Sequence, residues 1–150
     1  MEANRRTGKT VHGTLVALGN DGVLLRGPSG SGKSDLALRL IIPPSPWSLV
    51  SDDQVVLSRD ADEVTGRAPA SIAGKLEVRG IGIVPWPVRD AAVIRLIVDL
   101  VSRQDVPRMP EPDHSAKLLT VAIPCVRLHA FDASTPAKIA VLLSGAVQRQ

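Results

Sequence analysis

A phosphate-binding loop is the residue pattern in this chain that most clearly predicts chemistry. A glycine, four further residues and a Gly-Lys-Ser triplet fill eight consecutive positions: Gly27, Pro28, Ser29, Gly30, Ser31, Gly32, Lys33 and Ser34. In such a loop, backbone N–H groups and the N-terminus of the following helix surround a phosphate group. Lys33 can reach β- and γ-phosphates, and the Ser34 hydroxyl can ligate Mg²⁺. The motif therefore predicts a site for ATP and Mg²⁺.

Two adjacent carboxylates and a histidine are the next candidates. Asp52 and Asp53 follow a short apolar run. An acidic residue at the end of a strand beside a phosphate loop holds Mg²⁺ or positions a nucleophile, whereas the alternative is a solvated turn. His12 precedes Gly13 in a segment that we predict to pair with the strand entering the loop. It can donate to a phosphate oxygen or carry a proton, and the alternative is a partly buried histidine with one satisfied nitrogen.

One more carboxylate and two arginines complete the candidates. Glu77 and Arg79 lie on the same side of an extended segment that contains several glycines. Glu77 is a candidate second metal ligand and Arg79 a candidate partner for phosphate charge, whereas the alternative is a surface ion pair. Arg108 lies in a polar, proline-rich loop. A loop arginine can close onto a transferring phosphoryl group, but most loop arginines are simply solvated.

Strands and helices must bring these residues together. Strands are predicted over 11–18 and 23–26 around an Asp-Gly turn, with a first helix from Lys33 to Ile42 that stops before Pro43. A second hairpin is predicted over 55–59 and 64–68, a buried strand over 93–101, and a last helix over 136–147, capped by Ser134 or Thr135. Further strands are predicted over 48–50, 118–123 and 126–128. Residues 69–82 have no clear assignment, 103–115 are expected to form a mobile loop, and 1–9 a flexible N-terminus.

The overall composition predicts one globular α/β domain. The 150 residues are 44% hydrophobic and 22% charged, and the net charge of +3 is scattered along the chain. Scattered charge without aromatic stacking platforms argues against a nucleic-acid partner. Cys125 is the only cysteine, so disulfides and cysteine-based zinc sites are excluded. We find no signal peptide and no apolar run long enough to span a membrane, which predicts a cytoplasmic location.

Taken together, the motifs resemble the family of HPr kinase/phosphorylase. The matching segments occur in the family's order: residues 11–13, the phosphate loop, residues 49–53, and the signature Glu77, Val78, Arg79, Gly80, Ile81, Gly82 and Ile83. The last segment is more specific than the phosphate loop. The resemblance implies a single phosphate-loop (P-loop) kinase domain of the HPr kinase and PEP carboxykinase-like type. It covers residues 11–84 well and extends more weakly to Arg108.

The resemblance implies an ATP-dependent serine kinase that acts on the phosphocarrier protein HPr and regulates the phosphotransferase system. His12 would assist at the active site, Lys33 would bind phosphates, and Ser34 and Glu77 would hold Mg²⁺. One carboxylate of Asp52 and Asp53 would be the general base, with Asp53 preferred, and the acid in the reverse reaction. Arg108 would be the loop arginine of the family. The family assembles into hexamers, which implies a homo-oligomer.

Two departures from the family pattern shape the expectations. Longer members carry an N-terminal domain, whereas this sequence begins at the catalytic part and resembles a short form. The glycine- and arginine-containing loop associated with dephosphorylation is not evident, and residues 123–129 stand in its place. We therefore expect kinase activity to exceed phosphorylase activity. Two alternatives are a P-loop kinase of small molecules and a nucleotide-binding sensor without transfer activity.

Overall fold

A mixed sheet of nine strands forms the centre of the computed structural model, which describes residues 6–111 and 113–148. A separate hairpin of two strands, β7 and β8, lies beside it. The elements follow one another in this order: β1 Arg6–His12, β2 Thr14–Leu18, β3 Asp21–Arg26, α1 Lys33–Ile41, β4 Trp47–Ser51, β5 Gln54–Asp60, β6 Glu63–Arg67, β7 Lys75–Val78, β8 Gly82–Pro85, β9 Ala92–Leu100, a 3-10 turn Arg103–Asp105, β10 Ser115–Leu118, β11 Val121–Leu128 and α2 Thr135–Gln148.

The strand order places the end of β3 near the middle of the sheet. The order is β1-β5-β6-β9-β3-β2-β4, with β11 also pairing β9 and β10 pairing β11. Strand β9 runs parallel to both β3 and β11, so that Arg26 lies opposite Asp99. The phosphate loop therefore leaves the sheet from a strand that is paired on both sides and firmly held.

Both faces of the sheet are buried. Because side chains alternate along a strand, each central strand contributes to two apolar clusters. One cluster packs beneath the two helices and includes Val16, Leu25, Leu36, Leu40, Leu96, Val98, Ile139 and Leu143. The other fills the opposite face, where β5, β6, β10 and β11 cover it, and includes Leu15, Leu24, Leu57, Val64, Ile94, Ile97 and Ile123. Two apolar faces explain why β9 reads as an almost continuous apolar run.

Most of the predicted elements are confirmed. Strand β3, helix α1, the hairpin of β5 and β6, and strand β9 match the prediction within about two residues at each end, and β2 ends at Leu18 as predicted. Residues 69–82, left unassigned, contain β7. A strand also occupies residues 6–9, where a flexible N-terminus is expected, and residues 1–5 lie outside the described residues. No helix in the described residues is long and apolar enough to cross a membrane.

The predicted single strand over 11–18 is wrong, because the chain divides at Gly13. Strand β1 pairs with β5, whereas β2 pairs with β3 and β4. His12 therefore ends β1 and does not lie on the strand that pairs with the one entering the phosphate loop. A Cβ atom at Gly13 would lie 3.0 Å from the Leu24 side chain and 3.0 Å from the Leu25 carbonyl oxygen. The break thus occurs where the backbone passes so close to β3 that a side chain would have to displace its neighbours.

The predicted strand over 118–123 is also wrong. Leu119 and Thr120 both have positive φ, at 48° and 67°, and form the turn between β10 and β11. Pro124 does not interrupt β11. It pairs with Ser115 of β10, and the next residue, Cys125, begins the pairing of β11 with β9. Because Pro124 lies where β11 changes its partner strand, its missing N–H disturbs the sheet little.

Candidate active site

An open cleft of about 530 Å³ lies over the phosphate loop. Its walls are the β1–β2 junction, the end of β4, the β7–β8 hairpin and the segment after β11. The lining residues are His12, Thr14, Ser29, Gly30, Gly32, Lys33, Ser34, Asp35, Leu38, Asp53, Glu77, Val78, Arg79 and Phe131. Candidates from four separate segments of the sequence therefore meet in one place.

The phosphate loop is shaped by glycines and leads into a helix with an open N-terminus. Gly32 has a φ of 99°, and a Cβ atom there would lie 2.7 Å from the Ala130 Cβ. Only glycine combines this conformation with so close an approach. No side chain in the described residues caps α1, so N–H groups of its first turn remain available to an anion at the cleft.

Lys33 is held in the loop by neutral groups. Its Nζ donates to the carbonyl oxygens of Gly27 at 2.7 Å and Pro28 at 3.2 Å, and the residue is only 8% exposed. Among residues 6–111 and 113–148, no carboxylate forms an ion pair with it. The buried Ser31 hydroxyl also lacks a hydrogen-bond partner in this part of the chain. A buried ammonium group without an anion and an unpaired hydroxyl fit a loop built for phosphate.

Asp52 faces inward and joins three segments. It is 7% exposed, and its Oδ1 accepts hydrogen bonds from the hydroxyls of Ser34 at 2.7 Å and Thr14 at 3.0 Å. Its Oδ2 accepts the backbone N–H of Glu77 at 3.1 Å. Three donors thus occupy this carboxylate, and it fixes the end of the phosphate loop against β2 and β7.

Asp53 faces outward, into the cleft. Its side chain is 66% exposed, and Oδ1 lies 3.0 Å from Nε2 of His12, whose side chain is 49% exposed. The two neighbouring carboxylates therefore have different surroundings: Asp52 is engaged by the protein, whereas Asp53 is open to an incoming hydroxyl group.

The remaining predicted site residues are divided between the cleft and the surface. Glu77 and Arg79 are exposed and line the cleft, and no ion pair joins them in the described chain. Arg108 is exposed and is not among the lining residues, so its role stays a prediction.

No group of three or more His, Cys, Asp or Glu residues suited to a metal ion occurs within the described ranges. Ser34 and Glu77, the predicted Mg²⁺ ligands, both line the cleft.

Sequence reasoning missed four lining residues, Asp35 and Leu38 of α1 and, outside that helix, Thr14 and Phe131. Thr14 is a polar residue at the start of an otherwise apolar strand, and that position in the sequence is a signal for a functional role. In the structure it is fully buried. Phe131 lies in the segment after β11 and contacts the phosphate loop, since a Cβ atom at Gly32 would lie 2.8 Å from its ring. The contact between the Phe131 ring and the phosphate loop depends on the tertiary fold, and no local sequence pattern predicts it.

An ion pair beside the loop supports the strand that carries it. Arg26 donates to Asp99 through Nε at 2.8 Å and through Nη2 at 3.0 Å, and the Cys125 thiol donates to the same carboxylate at 3.3 Å. Burial opposes ionisation of Asp99, but the hydrogen bonds and charge of Arg26 outweigh it and lower its pKa. Burial and the Asp99 charge raise the pKa of Cys125 to about 11. The thiol is therefore protonated at neutral pH and has a structural role.

Comparisons with known proteins agree with the geometry. The chain matches the model of the family described as "HPr Serine kinase C-terminal domain" over residues 5–149. The HPr kinase/phosphorylase of Bordetella pertussis is 37% identical over 150 residues, which are 93% of this chain and 47% of that protein. That of Burkholderia lata is 36% identical over 149 residues, or 93% of this chain and 45% of that protein. This chain thus spans less than half the length of these relatives.

A solved structure shows the same fold. The Hpr(Ser) kinase/phosphatase from Coxiella burnetii superposes with a TM-score of 0.80 at 24% identity, covering 95% of this chain and 92% of that chain. The predicted α/β fold of the HPr kinase type is therefore confirmed.

Proposed function

Because this chain belongs to the HPr serine kinase C-terminal domain family, we propose that it transfers the γ-phosphoryl group of ATP to a serine of HPr. The observation that carries this proposal is that the two aspartates have different surroundings. Asp53 is exposed beside His12 in the cleft over the phosphate loop, whereas three donors engage Asp52.

Asp53 acts as the general base in this proposal. It takes the proton of the serine hydroxyl as that oxygen forms its bond to the γ-phosphorus, and the bond to the β-phosphate bridging oxygen breaks to release ADP. His12 lies against the same carboxylate and orients it. In the reverse reaction, protonated Asp53 returns the proton to the serine oxygen. Asp52 is the weaker candidate because its oxygens already accept three hydrogen bonds.

Lys33, Ser34 and Glu77 bind the nucleotide in this proposal. Lys33 exchanges its contacts with the Gly27 and Pro28 carbonyls for β- and γ-phosphate oxygens, which provide the anion that the buried ammonium group lacks. Ser34 and Glu77 would hold Mg²⁺, which when bound neutralises negative charge on the phosphates. Ser34 is already oriented by its hydrogen bond to Asp52.

The wider context follows the family and is part of the proposal. A kinase of HPr regulates the phosphotransferase system and through it carbon metabolism in the cytoplasm, and the family implies a hexamer. The curated relatives are named kinase/phosphorylase, so a reverse activity is included. Arg108 remains the proposed loop arginine, reaching the phosphoryl group from outside the lining of the cleft.

A transfer assay tests the proposal directly. The protein is mixed with radiolabelled ATP, Mg²⁺ and HPr from the same organism, and acid-stable phosphoserine is measured. We expect phosphoserine on HPr that depends on both Mg²⁺ and enzyme. Tight ATP binding without phosphoprotein would instead identify a nucleotide sensor, and transfer only to a small acceptor would identify a small-molecule kinase.

A further inference from the structure

Three consecutive residues at the β1–β2 junction hold Asp53 by three different groups. Nε2 of His12 lies 3.0 Å from the Asp53 carboxylate. The N–H of Gly13 donates to the Asp53 carbonyl oxygen at 2.9 Å. The N–H of Asp53 donates to Oγ1 of Thr14 at 3.4 Å. One short segment thus restrains the side chain, the carbonyl group and the amide group of the same residue.

The backbone of Asp53 needs this restraint. Its φ is 76°, in the left-handed region, and the N–H of Gln54 donates to the Asp52 carbonyl oxygen at 2.9 Å. Asp53 is therefore the central residue of a tight three-residue turn with positive φ, which is rare and strained for a residue with a side chain. Such a conformation persists only where the surrounding contacts enforce it, and it is typical of active sites.

Thr14 is the contact that links the two aspartates. It is 0% exposed, and its hydroxyl has a single hydrogen, which it donates to Asp52 at 3.0 Å. That bond leaves the oxygen lone pairs of Thr14 to accept the N–H of Asp53. One hydroxyl group therefore contacts Asp52, which Ser34 and the Glu77 N–H also hold, and fixes the backbone that presents Asp53 to the cleft.

We propose that Thr14 is a positioning residue for phosphoryl transfer, whose hydroxyl holds Asp53 in its strained turn with the carboxylate in the cleft. This inference rests on the function proposed above. Thr14 acts through Asp53, so its loss reduces the rate of proton removal and leaves the nucleotide contacts of the phosphate loop in place. A misplacement of about 1 Å in a reacting group is enough to cost on the order of 10²-fold in rate.

The test compares the full chain with T14V, which keeps the shape but removes the hydroxyl, and T14S, which restores it. Thr65→Val, at a half-buried threonine of β6 outside the cleft, is the matched control. We expect T14V to lower kcat about 10- to 100-fold while KM for ATP stays within about threefold. T14S should regain kcat to within about threefold of the unaltered chain, and Thr65→Val should match it. If T14V does not fold, Thr14→Ala repeats the comparison.

Amide hydrogen exchange gives a readout that needs no activity. In T14V, the amides of Asp53 and Gln54 should exchange at least about tenfold faster than in the unaltered chain, and T14S should protect them again. An unchanged kcat in T14V, a rise in KM for ATP alone, or a serine variant that fails to recover would each overturn the inference. If the unaltered chain forms no phosphoserine, the proposed function fails, and the exchange data then decide whether Thr14 holds the turn.

Discussion

Asparagine at each position of the aspartate pair should cause two different defects. Asp53→Asn keeps the size of the side chain but removes its ability to accept a proton. Removal of a general base costs about 10²- to 10⁴-fold in rate, which corresponds to about 2.7–5.4 kcal/mol of barrier. The Asp53 side chain is two-thirds exposed and its contact with His12 lies at the surface. The free energy of unfolding should therefore fall by less than about 1 kcal/mol, and ATP affinity should be retained.

Asp52→Asn should act on binding and stability instead. Asp52 accepts two hydroxyl hydrogens on Oδ1 and the Glu77 N–H on Oδ2. An amide can keep its oxygen toward the hydroxyls, but its NH₂ group then faces the N–H of Glu77. One part-buried donor loses its acceptor, at a cost of about 1–3 kcal/mol. For a domain of this size the melting temperature should fall by about 2–12 °C. ATP should bind more weakly because a neutral amide oxygen holds the Ser34 hydroxyl less strongly than the carboxylate does.

The assay separates these defects by measuring three quantities on each variant: ATP affinity by calorimetry, the rate of phosphoserine formation on HPr, and the melting temperature. Asp62→Asn, in the exposed β5–β6 turn, is the matched control and should change none of them. Normal transfer by Asp53→Asn would refute its assignment as the base. Equal loss of ATP affinity in both variants would refute the division of roles between the two carboxylates.

Three further predictions concern the loop, the thiol and the direction of the reaction. Lys33→Ala should lower transfer by several orders of magnitude while the fold survives, as judged by circular dichroism, because the charge that meets the phosphates is removed; full activity in the folded variant would contradict the phosphate-loop assignment. The raised pKa of Cys125 means that the folded chain favours the protonated thiol. The contribution of Cys125 to the free energy of unfolding is therefore fully present below pH 9 and is lost as the pH rises through about 11. Urea titrations between pH 8 and 12 should show this loss in the unaltered chain and not in Cys125→Ala, and equal curves would contradict it. Finally, phosphoserine should form on HPr faster than it is removed with Mg²⁺ and millimolar phosphate, which is checked by following phosphoserine-HPr and pyrophosphate; equal rates would point to a phosphate site outside the residues assigned above.

Local patterns predicted the parts of the molecule that local chemistry controls. The eight-residue loop between an apolar strand and a helix is found where the sequence placed it, because glycine conformations and helix capping depend on neighbouring residues. The hairpins of β2–β3 and β5–β6 follow from their turn residues for the same reason. The resemblance to a family then brought together His12, Asp53 and Glu77, which single motifs could not connect.

Long-range contacts explain what the sequence could not predict. The division of the first strand at Gly13 depends on how closely the chain passes β3, and β1 pairs with β5, which lies about forty residues away. The different roles of Asp52 and Asp53 depend on Thr14 and on the Glu77 backbone, which no spacing rule places beside them. The turn at Leu119 and Thr120 is local, but neither residue type favours the positive φ that both adopt, so the sequence predicts a strand through it.

The buried ammonium group of the phosphate loop has a consequence for the lifetime of the protein in the cell. The buried Lys33 ammonium group contacts only neutral carbonyl oxygens in the described chain, and a bound triphosphate would supply an anion for it. A ligand that binds only the folded state adds about 2.7 kcal/mol of stability when its free concentration is about one hundred times its Kd. With ATP as the ligand, as in the function proposed above, a fall in ATP would increase the unfolded fraction that proteases degrade. The abundance of this chain would then follow the energy charge of the cell, independently of any catalytic turnover.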